Sequence, residues 1–179
     1  MQQLRGFVAH RTDLNDAAPI DVCSVIEEAT ALALAVGSAR PTIHRDLPKL
    51  PPVLGVGESL SQAFGNVVSN AIEASANHTD PQVWLSASVV WPLAAGLTRQ
   101  GWIDVRIRDN GPGIAEDQRE HIFEPFFSTK VRRSGMGLGL AITRQIITAH
   151  LGTIGVAESS MQGTTFVIRL PLASDEQAR

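Results

Sequence analysis

Four short motifs in a fixed order, with a fifth segment between the second and third, restrict what this chain can fold into. They are Asn66-Val67-Val68-Ser69-Asn70-Ala71, Asp109-Asn110-Gly111-Pro112-Gly113-Ile114, Gly135-Met136-Gly137-Leu138-Gly139-Leu140 and Gly163-Thr164-Thr165. The intervening segment is Phe123-Glu124-Pro125-Phe126-Phe127-Ser128-Thr129-Lys130. Glycine-rich stretches are common in turns, so any one motif alone says little; the order carries the information.

The residues around the motifs supply periodicities. Leu4, Phe7, Val8 and Arg11 follow an i, i+3, i+4, i+7 spacing and predict a short amphipathic helix over 2–11. Asp13 to Pro19 reads as a linker. Asp21 suits a helix N-cap, and the helix it starts runs through Val22, Val25, Ile26, Ala29, Leu32 and Ala33 to Gly37. Thr42-Ile43-His44 reads as a strand, and Pro48, Pro51 and Pro52 keep the next stretch extended. A long helix is expected from Glu58 to Ala76. Gln82–Val90 and Trp102–Arg108 alternate apolar and polar residues as half-buried strands do, joined through a Pro92–Gly101 loop. A third helix runs from near Leu138 to His150, and Thr153–Glu158 with Thr165–Leu170 forms a final hairpin ended by Pro171. Helices interleaved with mostly antiparallel strands predict a two-layer α/β sandwich, a mixed sheet covered by helices on one face.

The ordered set resembles the N, G1, F, G2 and G3 boxes of the sensor histidine kinases, over residues 17–173. That family shares its ATP fold, the Bergerat type, with gyrase B, the MutL repair proteins and the ninety-kilodalton heat-shock chaperone. The resemblance divides the chain into a remnant of a dimerisation helix and linker (1–16), a catalytic ATP-binding domain (17–173) and a disordered tail (174–179).

It also implies roles. Asn66 and Asn70 lie four apart, so their amides share one helix face. Asn70 becomes the Mg²⁺ ligand; Mg²⁺ takes few protein ligands beside phosphate oxygens. Asn66 stands where related hydrolases carry the glutamate that activates water, and an amide cannot take that proton. Asp109 accepts from the adenine amine, Gly111 and Gly113 let the backbone approach the base, and Ile114 packs on the ring. The segment rich in Ser128, Thr129, Lys130, Arg132, Arg133 and Ser134 becomes an ATP lid anchored by Phe123, Phe126 and Phe127, with Lys130 the first choice for a phosphate contact. Gly135, Gly137, Leu138, Gly139 and Leu140 cradle the phosphates at a helix N-terminus. Thr164 either closes the adenine site through its hydroxyl or is an ordinary strand threonine. Glu73 and Ala74 depart from the basic and aromatic residues that many histidine kinases carry there, which points to the nitrogen- and dicarboxylate-sensing subgroup.

A kinase of this kind needs a phosphoacceptor histidine on a helical hairpin. None of His10, His44, His78, His121 or His150 is followed by an acidic residue, so that module is expected elsewhere in a longer parent, with a response regulator downstream. The chain itself is expected to be a monomer. Other functions within reach are a stand-alone ATPase acting as a conformational switch and a binding module that has lost nucleotide affinity. A net charge of −3 gives no nucleic-acid or polybasic membrane signal. Cys23, the only cysteine, is expected in the core and rules out a disulfide framework. No apolar run approaches the roughly 20 residues of a membrane span, so a cytoplasmic domain is expected, whose parent could still be anchored.

Overall fold

Leu60, Phe64, Val67, Val68, Ala71 and Ile72 recur at intervals of three or four, so a helix over them has one continuous apolar stripe. In the computed structural model, which describes residues 16–91, 100–127 and 137–174, all six are buried on helix α2 (Gly57–Ser75). Burying each large member stabilises the fold by about 1.5–3 kcal/mol. Helix α1 (Val22–Val36) packs beside α2. It starts where Asp21 Oδ1 accepts from the N–H groups of Cys23 at 3.0 Å and Ser24 at 3.4 Å. Cys23 is buried, its thiol donating to the Pro48 carbonyl at 3.2 Å. Helix α3 (Gly139–Ala149) lies against α2 from another side.

The helices cover one face of a five-stranded sheet. Its strands are β2 (Thr42–Asp46), β4 (Gln82–Val90), β5 (Trp102–Asp109), β6 (Thr153–Ser160) and β7 (Gly163–Pro171), in the order β2-β4-β5-β7-β6. Only β2–β4 is parallel, giving the expected mixed, mostly antiparallel sheet. Val83 and Leu85, Ile103, Val105 and Ile107, and Phe166, Ile168 and Leu170 alternate onto the buried face. The opposite face carries His44 stacked on Trp84, Arg108 over the Trp84 ring, and the cross-strand Asp104–Arg169 ion pair.

The expected linker needs correction at its end. Ala18–Ile20 is strand β1, antiparallel to β3 (Val53–Gly55). A three-residue ribbon shows no periodicity, and its pairing spans more than thirty residues of chain. Val53 bridges to Leu172, tying this ribbon to the end of β7. Phe126 is a second correction: Phe123 is buried and Phe127 partly so, but Phe126 is 63% exposed at a φ of 67°. Its left-handed backbone turns the ring outward between two anchored neighbours. The expected helix over 2–11, residues 92–99 of the loop, residues 128–136 and the tail after Ser174 lie outside the described residues. Among the described residues no helix is long and apolar enough to cross a membrane.

His150 joins α3 to α2. Its Nδ1 donates to the Ile146 carbonyl at 2.8 Å, and its Nε2 accepts from the Val56 N–H at 3.0 Å, at the uncapped start of α2. His150→Leu leaves that N–H without its acceptor and is expected to lower stability by about 1–3 kcal/mol. Urea unfolding should show an earlier midpoint at unchanged slope; an unmoved midpoint would contradict the assignment.

Candidate active site

Asp109 is the last residue of β5, on the helix-facing side, and is 2% exposed. Its Oδ1 accepts from the N–H groups of Gly111 at 2.8 Å and Thr164 at 3.3 Å. That leaves Oδ2 for an incoming donor. Burial raises the carboxyl pKa above 3.8, opposed by the Gly111 and Thr164 N–H groups and by the nearby Arg108 guanidinium. The result is a desolvated carboxylate held in a fixed orientation, with one acceptor to offer.

Two glycines make that arrangement possible. Gly113 has a φ of +79°, and a Cβ there would lie 2.0 Å from the Ser160 carbonyl oxygen. Gly163 has a φ of +121°, and its Cβ would lie 1.9 Å from the Asp109 carbonyl oxygen. Between them the β6–β7 turn closes directly onto the loop after β5. Ile114 is partly buried against the core, and its N–H donates to Ser159 Oγ at 2.7 Å. Thr164 uses its N–H, rather than its hydroxyl, toward Asp109; the hydroxyl pairs with Ser159 Oγ at 3.0 Å. Arg119 holds the same corner, donating from Nη2 to the Ser159 carbonyl at 2.7 Å. Asn110 faces away: its Oδ1 accepts from the Gln82 N–H at 2.9 Å and its Nδ2 donates to the Asp80 carbonyl at 2.7 Å.

A second group of motif residues meets where α2 crosses the start of α3. Asn66 Nδ2 donates to the Gly139 carbonyl at 3.0 Å and lies 3.3 Å from Thr143 Oγ1. Asn70 is one turn further along α2, half-buried. Gly137 and Leu138 lead into α3, whose N-terminus has no side-chain cap among the described residues and no acidic residue in its first turn. Leu140 packs partly against the core. The Phe126 N–H donates to the Gly137 carbonyl at 2.9 Å, so the two ends of segment 128–136 meet. Lys130 and Gly135, with Arg132 and Arg133, lie outside the described residues.

Sequence reasoning missed Ser159, Arg119 and Thr143. The first two follow a β-bulge and a short 3-10 turn, and no motif marks them. Thr143 sits four residues after Gly139, a spacing that means something only once α2 is known to lie across it.

These features fit a nucleotide triphosphate. The uncapped N–H groups of α3 suit phosphate, and Oδ2 of Asp109 suits an exocyclic amine. Among the described residues no group of three or more His, Cys, Asp or Glu side chains could hold a metal ion. An amide oxygen beside phosphate oxygens is a sufficient donor set for Mg²⁺ and not for a tightly caged metal. A separate cavity of about 370 Å³, lined by His44, Trp84, Arg106 and Arg108 among others, lies on the open face of the sheet, behind Asp109 rather than beside it.

Comparisons with known proteins point the same way. Residues 55–174 match the family profile described as histidine kinase-, DNA gyrase B-, and HSP90-like ATPase. The sensory histidine kinase/phosphatase NtrB of Rhizobium meliloti (strain 1021) is 35% identical over 173 residues, covering 90% of this chain and 44% of that protein. The C4-dicarboxylate transport sensor protein DctB from the same organism is 36% identical over 159 residues, covering 88% of this chain and 24% of that protein. The chain thus spans less than half the length of these curated relatives. Among solved structures, the mycobacterial sensor histidine kinase MprB superposes with a TM-score of 0.66 at 28% identity, covering 86% of this chain and 97% of that one. Full-length ShkA in complex with AMPPNP gives a TM-score of 0.68 at 28% identity, covering 89% of this chain and 32% of that one.

Proposed function

The chain belongs to the histidine kinase-, DNA gyrase B- and HSP90-like ATPase family, and from that premise we propose that it binds ATP with Mg²⁺ and donates the γ-phosphoryl group to a histidine on a separate helical hairpin. The phosphoryl group then passes to an aspartate of a response regulator. The observation that carries this reading is at position 66. Asn66 presents an amide nitrogen to the Gly139 carbonyl, so the side chain at this position has no group able to take a proton from water. A site without that base suits an imidazole, which is a better nucleophile than water. The similarity to NtrB and DctB supports the two-component assignment.

Each residue then has a physical task. Asp109 orients the base through Oδ2, with Thr164 and Gly111 holding the carboxylate. Ile114 flanks the ring. The N–H groups of Gly137, Leu138, Gly139 and Leu140 face the phosphates, and Asn70 would hold Mg²⁺, which neutralises phosphate charge when bound. Lys130, on the segment between Phe127 and Gly137, supplies a further cation to the transferring group. Phosphoryl transfer asks the protein mainly for positioning and charge stabilisation, and this set provides both.

The test supplies this chain with γ-labelled ATP, Mg²⁺ and a phosphoacceptor hairpin from a related kinase. Label should appear on the hairpin as an acid-labile phosphohistidine, with release to water at least about 100-fold slower, as expected for a site missing one positioned proton acceptor. Rapid hydrolysis without the hairpin, abolished by Asn66→Ala, would instead make the chain a stand-alone ATPase.

A further inference from the structure

Thr143 is fully buried on α3, yet its hydroxyl belongs to the site. Oγ1 donates to the Gly139 carbonyl at 2.8 Å, one helical turn back. Asn66 Nδ2 donates to the same carbonyl at 3.0 Å and approaches Thr143 Oγ1 at 3.3 Å. Three groups on two helices therefore close a triangle.

The proton inventory of that triangle has one solution. A carbonyl oxygen only accepts. The single Oγ1 proton goes to a carbonyl, Gly139 at 2.8 Å with Ala63 at 3.4 Å beside it, so toward Asn66 Oγ1 accepts. Two acceptors thus face the Asn66 carboxamide, and its nitrogen must turn toward them. Its oxygen is left pointing the other way. A Cβ built on Gly139 would touch the Asn66 carboxamide, 3.7 Å from Oδ1, so the missing side chain leaves room beside that oxygen.

We propose that Thr143 is a positioning residue: with the Gly139 carbonyl it locks the Asn66 carboxamide so that Oδ1, an acceptor, faces the phosphate side of the site. The inference deepens the kinase reading and rests on it for the identity of the ligand. It also explains why position 66 cannot simply regain a glutamate. A carboxylate there has no N–H to offer: its lone pairs would oppose the Gly139 carbonyl and could be met only by drawing the Thr143 proton away from that carbonyl, in a partly buried setting where unpaired charge is unfavourable. The Gly139 carbonyl of α3 thus disfavours a water-activating carboxylate at position 66.

The orientation can be read without nucleotide. In the free protein, the Asn66 side-chain NH₂ resonances, identified by their loss in Asn66→Ala, should exchange with solvent slowly. Thr143→Val should speed that exchange at least tenfold, and Thr143→Ser should restore it to within about twofold, since each hydrogen bond lost shifts such equilibria by about a factor of ten. The same Val variant should lose several-fold of the Mg²⁺-dependent part of its affinity for a non-hydrolysable ATP analogue, with its affinity for adenosine unchanged. As a check independent of how well the Val variant folds, Asn66→Asp should raise the unfolding constant at pH 7 about tenfold more than Asn66→Ala does. Unchanged Asn66 resonances in Thr143→Val, or an Asp variant as stable as the Ala variant, would overturn the proposal. Slow exchange restored by serine in a protein that binds no nucleotide would uphold the positioning and sink the kinase reading alone.

Discussion

Asp109→Asn is expected to weaken binding of a non-hydrolysable ATP analogue by about 100-fold or more, equivalent to about 2.7 kcal/mol. The reason lies in which oxygen is already engaged. Oδ1 takes two backbone N–H groups, from Gly111 and Thr164, so an asparagine must put its carbonyl oxygen there. Its NH₂ then stands where Oδ2 was, facing the adenine N6 amine, donor against donor. Guanine presents an acceptor at the equivalent position, so the variant should lose preference for adenine over guanine as well as affinity. Calorimetric titration of matched adenine and guanine nucleotides reads both effects. Adenine affinity within threefold of the unaltered chain would remove Asp109 from the site.

The same carboxylate sets a pH dependence. The adenine amine needs an ionised acceptor, so affinity is present above the folded pKa of Asp109 and lost as pH falls through it. Burial raises that pKa above 3.8, so the loss begins at higher pH than an exposed aspartate would give. Stability runs the other way. The folded chain holds this proton more tightly than the unfolded one, so ionisation of Asp109 lowers stability as pH rises from 3.8 through the raised value. Comparison with Asp109→Asn cancels titration of the nucleotide's own phosphates and should abolish both dependences.

Gly163→Ala is expected to be the most damaging single methyl that can be added to this site. The new Cβ would lie 1.9 Å from the Asp109 carbonyl oxygen and 2.8 Å from its carbon, at a φ of +121°. The obstructing atoms are backbone, so no side-chain rotation relieves the overlap. Backbone strain alone costs about 1–3 kcal/mol, and the start of β7 must also separate from the end of β5. A loss of at least about 3 kcal/mol in chemical denaturation is expected, with nucleotide binding lost even at temperatures where the variant stays folded. Gly155→Ala is the control. It lies in β6 without a positive φ, its Cβ would meet nothing within 4 Å, and its stability should be unchanged or slightly raised. Equal behaviour of the two variants would refute the close approach at Gly163.

The elements legible in the sequence were those whose signal is local. Asp21 announces α1 because its side chain caps the residues that follow it. The stripe from Leu60 to Ile72 announces α2, and the alternation in Gln82–Val90 reproduces β4 to the residue. The ribbon of β1 and β3 was not legible, because three residues carry no period and their partner is distant in sequence. Phe126 was misread for a related reason. Three nearby phenylalanines look alike as anchors, and only the backbone turn at the middle one separates it from its neighbours.

The chain's own order of motifs determined the fold class and the family and singled out Asn66, Asn70, Asp109, Gly111, Gly113, Gly137, Gly139 and Thr164, of which Asn66 meets Gly139 and Asp109 meets Gly111 and Thr164. Residue identity can do this because chemistry resides in side-chain type, and helix and strand spacing resides in nearest neighbours. Orientation was decided only by the tertiary structure. It is the crossing of α2 and α3 that turns the Asn66 nitrogen inward, the fold of β7 against β5 that gives Asp109 Oδ1 two donors, and the bulge in β6 that brings Ser159 to Ile114 and Thr164. A hydrogen bond forms only within about 3.5 Å and at a favourable angle, and such contacts join residues tens of positions apart. No local pattern along the chain encodes them.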